Sequence, residues 1–171
     1  AVEDKKNQIL TGPEWEKLLS EYPVVVADKR KYYIESNRSH YNNAHYSDGL
    51  DAAEQIIAEK YPEYSAAFIK VCNRTWAHMF NMFVMRRDLF DQYCQWMFSI
   101  LEEIEHRVDI SDYDTYEARI YGFVSEILLD VWIEANNIDY KEQNVSFMEP
   151  QNWLKKGGSF VLRKFGLHSK G

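Results

Sequence analysis

Between Asn81 and Ile133 the chain changes pattern in a way that leaves few folds open. A short, mostly apolar run, Asn81-Met82-Phe83-Val84-Met85, reads as a strand, and two stretches of helical periodicity follow it. The first, from Asp88 to about Arg107, puts Leu89, Tyr93, Met97, Ile100 and Ile104 on one face. The second puts Tyr116, Ile120, Phe123, Ile127 and Val131 at spacings of four, three, four and four. A strand feeding long helices whose apolar faces must be covered is the layout of an α/β domain.

The preceding residues fit the same architecture. Thr11-Gly12-Pro13-Glu14 combines a capping hydroxyl with a proline near the first turn, so a helix is expected from there to about Tyr22-Pro23. Val24-Val25-Val26-Ala27 reads as a buried strand, whereas the polar stretch through Tyr46 shows no period and is expected to be a long loop. Asp48 is expected to cap a helix through about Lys60, and Pro62 to open another through about Arg74. The fold class is therefore α/β and helix-rich, with too few strands to complete a sheet alone.

Composition limits what such a domain can be. A length of 171 residues, 46% hydrophobic and 27% charged, supplies one ordinary core. No segment approaches the ~20 uncharged apolar residues of a membrane span, and Ala1-Val2-Glu3-Asp4-Lys5-Lys6 is no secretory signal. The start within a charged run, without methionine, is expected of a piece of a longer protein. Cys72 and Cys94 form no spaced framework, which fits a reducing, cytoplasmic setting. A net charge of −7 argues against nucleic acid as a partner. Nothing after Glu149 is acidic, so residues 1–149 read as the domain and 150–171 as a basic amphipathic tail. There Trp153, Phe160 and Phe165 lie among Lys155, Lys156, Arg163 and Lys164, a composition suited either to peripheral contact with an anionic membrane or to a docked terminal helix.

Chemistry concentrates in the second long helix. Arg119, Gly122 and Glu126 fall at i, i+3 and i+7 on one side, beside a stripe of small residues, Ala118, Gly122 and Ser125. A glycine inside a helix costs roughly 1 kcal/mol relative to alanine, so a packed backbone or a ligand is expected over it. Asp112-Tyr113-Asp114 has the form of a cation-binding acidic pair, but it joins two helices and Asp114-Thr115-Tyr116-Glu117 has capping-box spacing. His40, Tyr41 and His45 share the polar stretch, without zinc spacing, and Lys29-Arg30-Lys31 follows a strand, where basic residues can meet a diphosphate. No Gly-rich phosphate loop, G-x-S-x-G or paired-cysteine motif is present, and no metal site is assigned.

Four segments then carry a resemblance: Tyr41-Asn42-Asn43-Ala44-His45, Glu59-Lys60-Tyr61-Pro62-Glu63-Tyr64, Asn81 to Met85, and Ala118 to Glu126. In this order they resemble the bacterial capsule and exopolysaccharide glycosyltransferase-like domains, long catalogued as a domain of unknown function, over roughly Leu18 to Ile133. The resemblance implies the C-terminal part of a Rossmann-like GT-A fold whose nucleotide-facing strands, with a Cys-His-Tyr-Arg-Arg-like segment, precede Ala1. It implies hexosyl transfer from a nucleotide sugar to a lipid-linked or growing glycan, in the cytoplasm or at the inner membrane surface. Glu126 or Glu117 would deprotonate the acceptor hydroxyl, Arg119 would orient a carboxylate or phosphate, and Tyr41, His45 and Asn81 would contact substrate. A divalent cation such as Mn or Mg is left open as cofactor. The chain departs from the family pattern at Ile127, where the family carries arginine. The alternative is a non-catalytic scaffold or interaction protein of a polysaccharide assembly complex.

Overall fold

All four side chains of β1 (Val24–Ala27) are buried in the computed structural model, which describes residues 9–147. An apolar run without alternation is the pattern of a strand covered on both faces. β1 is the middle of a three-stranded sheet. Counting strands along the chain, β4 (Phe83–Met85) pairs with it antiparallel, Val24 opposite Met85, and β5 (Tyr140–Gln143) pairs parallel, Val24 opposite Tyr140. A separate antiparallel pair joins β2 (Arg30–Lys31) to β3 (Trp76–Ala77). The strand expected from Asn81 starts only at Phe83, because Phe80 and Asn81 adopt left-handed backbone angles, φ 76° and 50°.

Helix α1 (Gly12–Glu21) begins as its sequence dictates: Glu14 Oε2 accepts from the Thr11 backbone N–H at 2.8 Å and from its hydroxyl at 2.7 Å. The polar stretch expected to be a long loop instead contains α2 (Asn37–Ala44). Ser36 caps it, accepting from Ser39 N at 3.1 Å, and only Asn37 and Tyr41, one turn apart, are buried. Asn37 Nδ2 donates to the carbonyls of Val71 and Trp76, both at 2.8 Å. Polar anchors rather than an apolar face hold this helix, which is why periodicity misses it. Helix α3 (Asp48–Lys60) matches its expected span, whereas the segment after Pro62 splits into a 3-10 turn, Pro62–Tyr64, and α4 (Ser65–Asn73). Helix α5 (Arg87–Arg107) buries Tyr93, Trp96, Ile100 and Ile104.

The innermost element is α6 (Ile120–Ala135), preceded by a 3-10 turn, Glu117–Arg119. Its expected single face proves too narrow. Ile120, Ile127 and Val131 are buried, but so are Val124, Leu128, Leu129, Trp132 and Ile133, while Tyr116 is exposed and Phe123 half-buried. A helix apolar nearly all round must be enclosed, and α3, α4 and α5 pack against this one. Each fully buried Leu or Ile contributes about 1.5–3 kcal/mol, so Leu50, Ile56, Ile57, Ile100, Ile104, Leu128 and Leu129 carry much of the stability.

Residues 11–144 make up this compact unit. The other described residues, 9–10 and 145–147, form no helix or strand. The boundary after Glu149 and the basic tail at 150–171 lie outside the described residues. Among the described residues no helix is long and apolar enough to cross a membrane. Cys72 and Cys94 are both free.

Candidate active site

Glu126 sits half-buried on α6, one turn after Gly122, with the Phe80 backbone near enough to favour its charged form. Burial pushes its pKa above the ordinary value of 4.5, against the influence of the Phe80 backbone and the positive charges of Arg30 and Arg119. Asn81, next in the chain, donates from Nδ2 to Ser125 Oγ at 2.8 Å and to the Gly122 carbonyl at 3.2 Å. The side chain of Asn81 therefore occupies part of the small-residue stripe. The space over Gly122 itself stays open, since a Cβ built there would meet nothing within 4 Å.

A second group gathers around Phe123, three residues before Glu126. His45, the residue closing α2, stacks on Phe123 at 3.8 Å and 20°, faces Tyr116 at 5.6 Å and meets Tyr41 edge-on at 5.2 Å. Its Nδ1 lies 3.7 Å from Glu117 Oε2, an electrostatic contact beyond hydrogen-bond range. Burial lowers the His45 pKa, and the Glu117 charge opposes that shift. The Tyr46 backbone N–H reaches the same Glu117 oxygen at 3.4 Å. Tyr41 is buried, its hydroxyl has no hydrogen-bond partner among the described residues, and burial raises its pKa well beyond the ordinary tyrosine range. The guanidinium of Arg119 lies 5.3 Å from the Phe123 ring centre.

The expected residues thus fall into two neighbouring sets on α6: Tyr41, His45, Glu117 and Arg119 around Phe123, and Asn81 with Glu126 at the Phe80 turn. Of the basic trio, Arg30 acts on Glu126, while Lys29 is engaged by Glu142 at 2.6 Å. Asp114 acts as a cap, its Oδ1 accepting from Tyr116 N and Glu117 N, both at 2.8 Å. No group of three or more His, Cys, Asp or Glu able to hold a metal ion occurs among the described residues. An open cavity of about 310 Å³ lies elsewhere, lined by Asp48, Asp51, Gln55, Arg107 and Asp109, and none of the expected site residues reaches it.

Two clusters escaped sequence reasoning. Tyr32 stacks on His40 at 4.0 Å, and buried Glu35 takes His40 Nδ1 and Asn43 Nδ2, each at 3.1 Å. Burial pushes the Tyr32 pKa up to about 12. Deeper in, Asp130 accepts the His78 backbone N–H at 2.9 Å, faces His78 Nδ1 at 2.6 Å and pairs with Arg74 at 2.6 Å. One signal for this second cluster was on the page of the sequence: an aspartate inside the apolar run Leu128-Leu129-Asp130-Val131-Trp132 must find a partner.

Comparison with known proteins agrees with the resemblance at its coarser level. The family model of a domain of unknown function, DUF4422, matches residues 1–137. The chain belongs to the DUF4422 family. Among solved structures, this DUF4422 domain is similar to the apo structure of the WbbM bifunctional glycosyltransferase, with a TM-score of 0.70 and 28% identity. The match covers 76% of this chain and 24% of that one, so the DUF4422 domain spans about a quarter of that enzyme's length. No curated protein matches it. The helix-rich α/β architecture is therefore shared with a glycosyltransferase.

Proposed function

We propose that this DUF4422 domain is a glycosyltransferase, or part of one, that moves a hexose from a nucleotide sugar to a lipid-linked or growing glycan such as a capsular polysaccharide. The observation that carries this reading is Glu126: a half-buried carboxylate of raised pKa beside an open helix face, within electrostatic reach of Arg30 and Arg119. In the proposed step the acceptor O–H proton passes to Glu126 and the acceptor oxygen bonds the anomeric carbon. The bond from that carbon to the diphosphate breaks, and the departing nucleotide takes the electron pair. A carboxylate with elevated pKa is a stronger base than an exposed one. Arg30 and Arg119 would meet the negative charge on the leaving diphosphate. His45 and Tyr41 would contribute ring surface to a sugar, and Glu117 would orient His45.

A panel of UDP-, GDP- and dTDP-sugars, assayed for nucleotide release by the full-length protein with and without manganese, tests the activity. Glu126→Gln, which preserves shape, is expected to lower turnover by on the order of 100-fold. Undiminished turnover removes Glu126 from the site. The alternative, a non-catalytic scaffold in a polysaccharide assembly complex, draws on the exposure of Tyr33 and Ile34, 82% and 62%. Absence of release from every donor, in folded protein, would favour it.

A further inference from the structure

Residues 33–36 bulge outward between two anchored points. The Tyr32 N–H donates to the Thr75 carbonyl at 2.8 Å and the Asn37 N–H to the adjoining Arg74 carbonyl at 2.9 Å, so both feet of the bulge stand on one segment. Behind it the Tyr32 ring stacks on His40 at 4.0 Å, and buried Glu35 is tied to His40 and Asn43. The bulge is thus a fixed projection of the fold.

Its apex is strained. The Ile34 N–H closes a three-residue turn on the Tyr32 carbonyl at 2.7 Å, and Tyr33 at its centre has φ 61°. This sense of turn is rare, and glycine or asparagine would occupy it with less strain than a residue with a bulky side chain. The sequence instead places tyrosine there and isoleucine next, and these are the two most exposed large apolar side chains among the described residues. Neither gains burial in the fold in return for the strain, and such conformations concentrate where a surface is used.

Charge supplies the direction. With a net charge of −7 the chain as a whole is repelled by an anionic surface, so it can approach one only through a face of opposite sign. From Lys29 to Ile34 there are three basic residues and no acidic one, and the exposed acid closest before them is Asp28. Lys29 is engaged by Glu142 and the Arg30 guanidinium lies 5.3 Å from the Tyr32 ring centre, while Lys31 is exposed two residues from the apex. A basic strand leading to an exposed aromatic and aliphatic pair has the chemistry of a membrane contact: the tyrosine ring lies among headgroups, the isoleucine reaches acyl chains and the lysine meets phosphate. A glycan would use the ring and leave the isoleucine in water.

We propose that the Tyr33–Ile34 turn seats this domain on an anionic membrane, with both side chains entering the interface and Lys31 facing lipid phosphates. The contact is independent of Glu126 and of any transferase chemistry.

The test is co-sedimentation of the full-length protein with vesicles of phosphatidylcholine, alone or mixed with phosphatidylglycerol, without donor or acceptor. Binding to the mixed vesicles is expected, and the double substitution Tyr33→Ser, Ile34→Ser is expected to weaken it about tenfold. Lys31→Ala should weaken it about fivefold at low salt and hardly at all at high salt, whereas the double variant stays weak in both. The basic sequence after Glu149 is the same in every variant, so the differences read the turn. Tyr33→Gly, which removes side chain and strain together, is expected to weaken binding while raising the melting temperature, which separates lost binding from lost folding. Wild-type protein that ignores both kinds of vesicle, or a double variant that binds as the wild type does, overturns the proposal; a protein partner at this turn would give the second result. Absence of nucleotide release from every donor would bear on the catalytic reading alone and leave vesicle binding where it was.

Discussion

Gly49 approaches Ile120 so closely that a Cβ on Gly49 would lie 2.4 Å from Cγ1 and 2.6 Å from Cδ1 of the isoleucine. Val124 Cγ2 would stand 3.1 Å away. Helix α3 therefore rests on α6 through bare backbone. Gly49→Ala should gain about 0.5–1 kcal/mol of helix propensity and lose about 1–3 kcal/mol to overpacking. A lower midpoint in urea is the expected result, and an unchanged one would show that Ile120 yields freely.

Gly122→Ala should behave in the opposite sense. Nothing within 4 Å opposes its Cβ, so stability should rise by roughly 0.5–1 kcal/mol. If substrate lies over this part of α6, the same methyl group raises KM. Greater stability with unchanged KM would place the substrate elsewhere.

His45 makes stability depend on pH. Its folded pKa is lowered from 6.5, so the unfolded chain binds a proton that the folded one refuses. Stability should then fall as pH drops from about 6.5 toward the depressed pKa, and level off below it. His45→Phe keeps the stack on Phe123 at 3.8 Å and has no proton to take up. Denaturation midpoints at several pH values should show the loss flattened in the variant.

Glu126 acts in the other direction. A carboxyl whose folded pKa is raised above 4.5 weakens the fold as pH rises through that interval, because ionisation is easier in the unfolded chain. As a base it works ionised, so the acid limb of turnover should lie above the ordinary glutamate range and vanish in Glu126→Gln. A limb at the ordinary glutamate value would point to another base.

Ion pairs of this protein should differ sharply in worth. Arg74 is mostly buried, pairs with Asp130 at 2.6 Å and covers the Trp76 ring at 3.5 Å. Arg74→Ala leaves buried Asp130 with His78 but without its guanidinium and should cost about 3–5 kcal/mol. Arg87→Ala breaks an exposed pair with Asp91 and should leave the denaturation midpoint unmoved. Equal effects would contradict the burial argument.

Much of this fold was legible because local chemistry and burial agree. The valine run of β1, the Thr11 and Asp114 caps and the Tyr93, Ile100, Ile104 face of α5 each express a short-range rule. Helix α2 was not legible, since Asn37 holds it by bonds to carbonyls 34 and 39 residues away. The site divides the same way. The place of Glu126 on α6 follows from helical spacing, whereas Arg119 falls in the 3-10 turn before that helix, the meeting of Tyr46 with Glu117 spans 71 residues and that of His78 with Asp130 spans 52. Pairings at such separations are decided by the packing of whole helices, which periodicity within one helix does not encode.

The family model ends at residue 137, and β5 begins three residues later, at Tyr140. A chain cut at that limit would keep every helix of the described residues and still lose the parallel partner of β1. One edge of Val24-Val25-Val26 would then present unpaired N–H and C=O groups on an uncharged, β-branched segment, the kind of surface that recruits other chains. Glu142 would leave with it, uncovering His78 and Lys29. The unit that covers both edges of β1 is longer by one strand than the unit that the family model delimits.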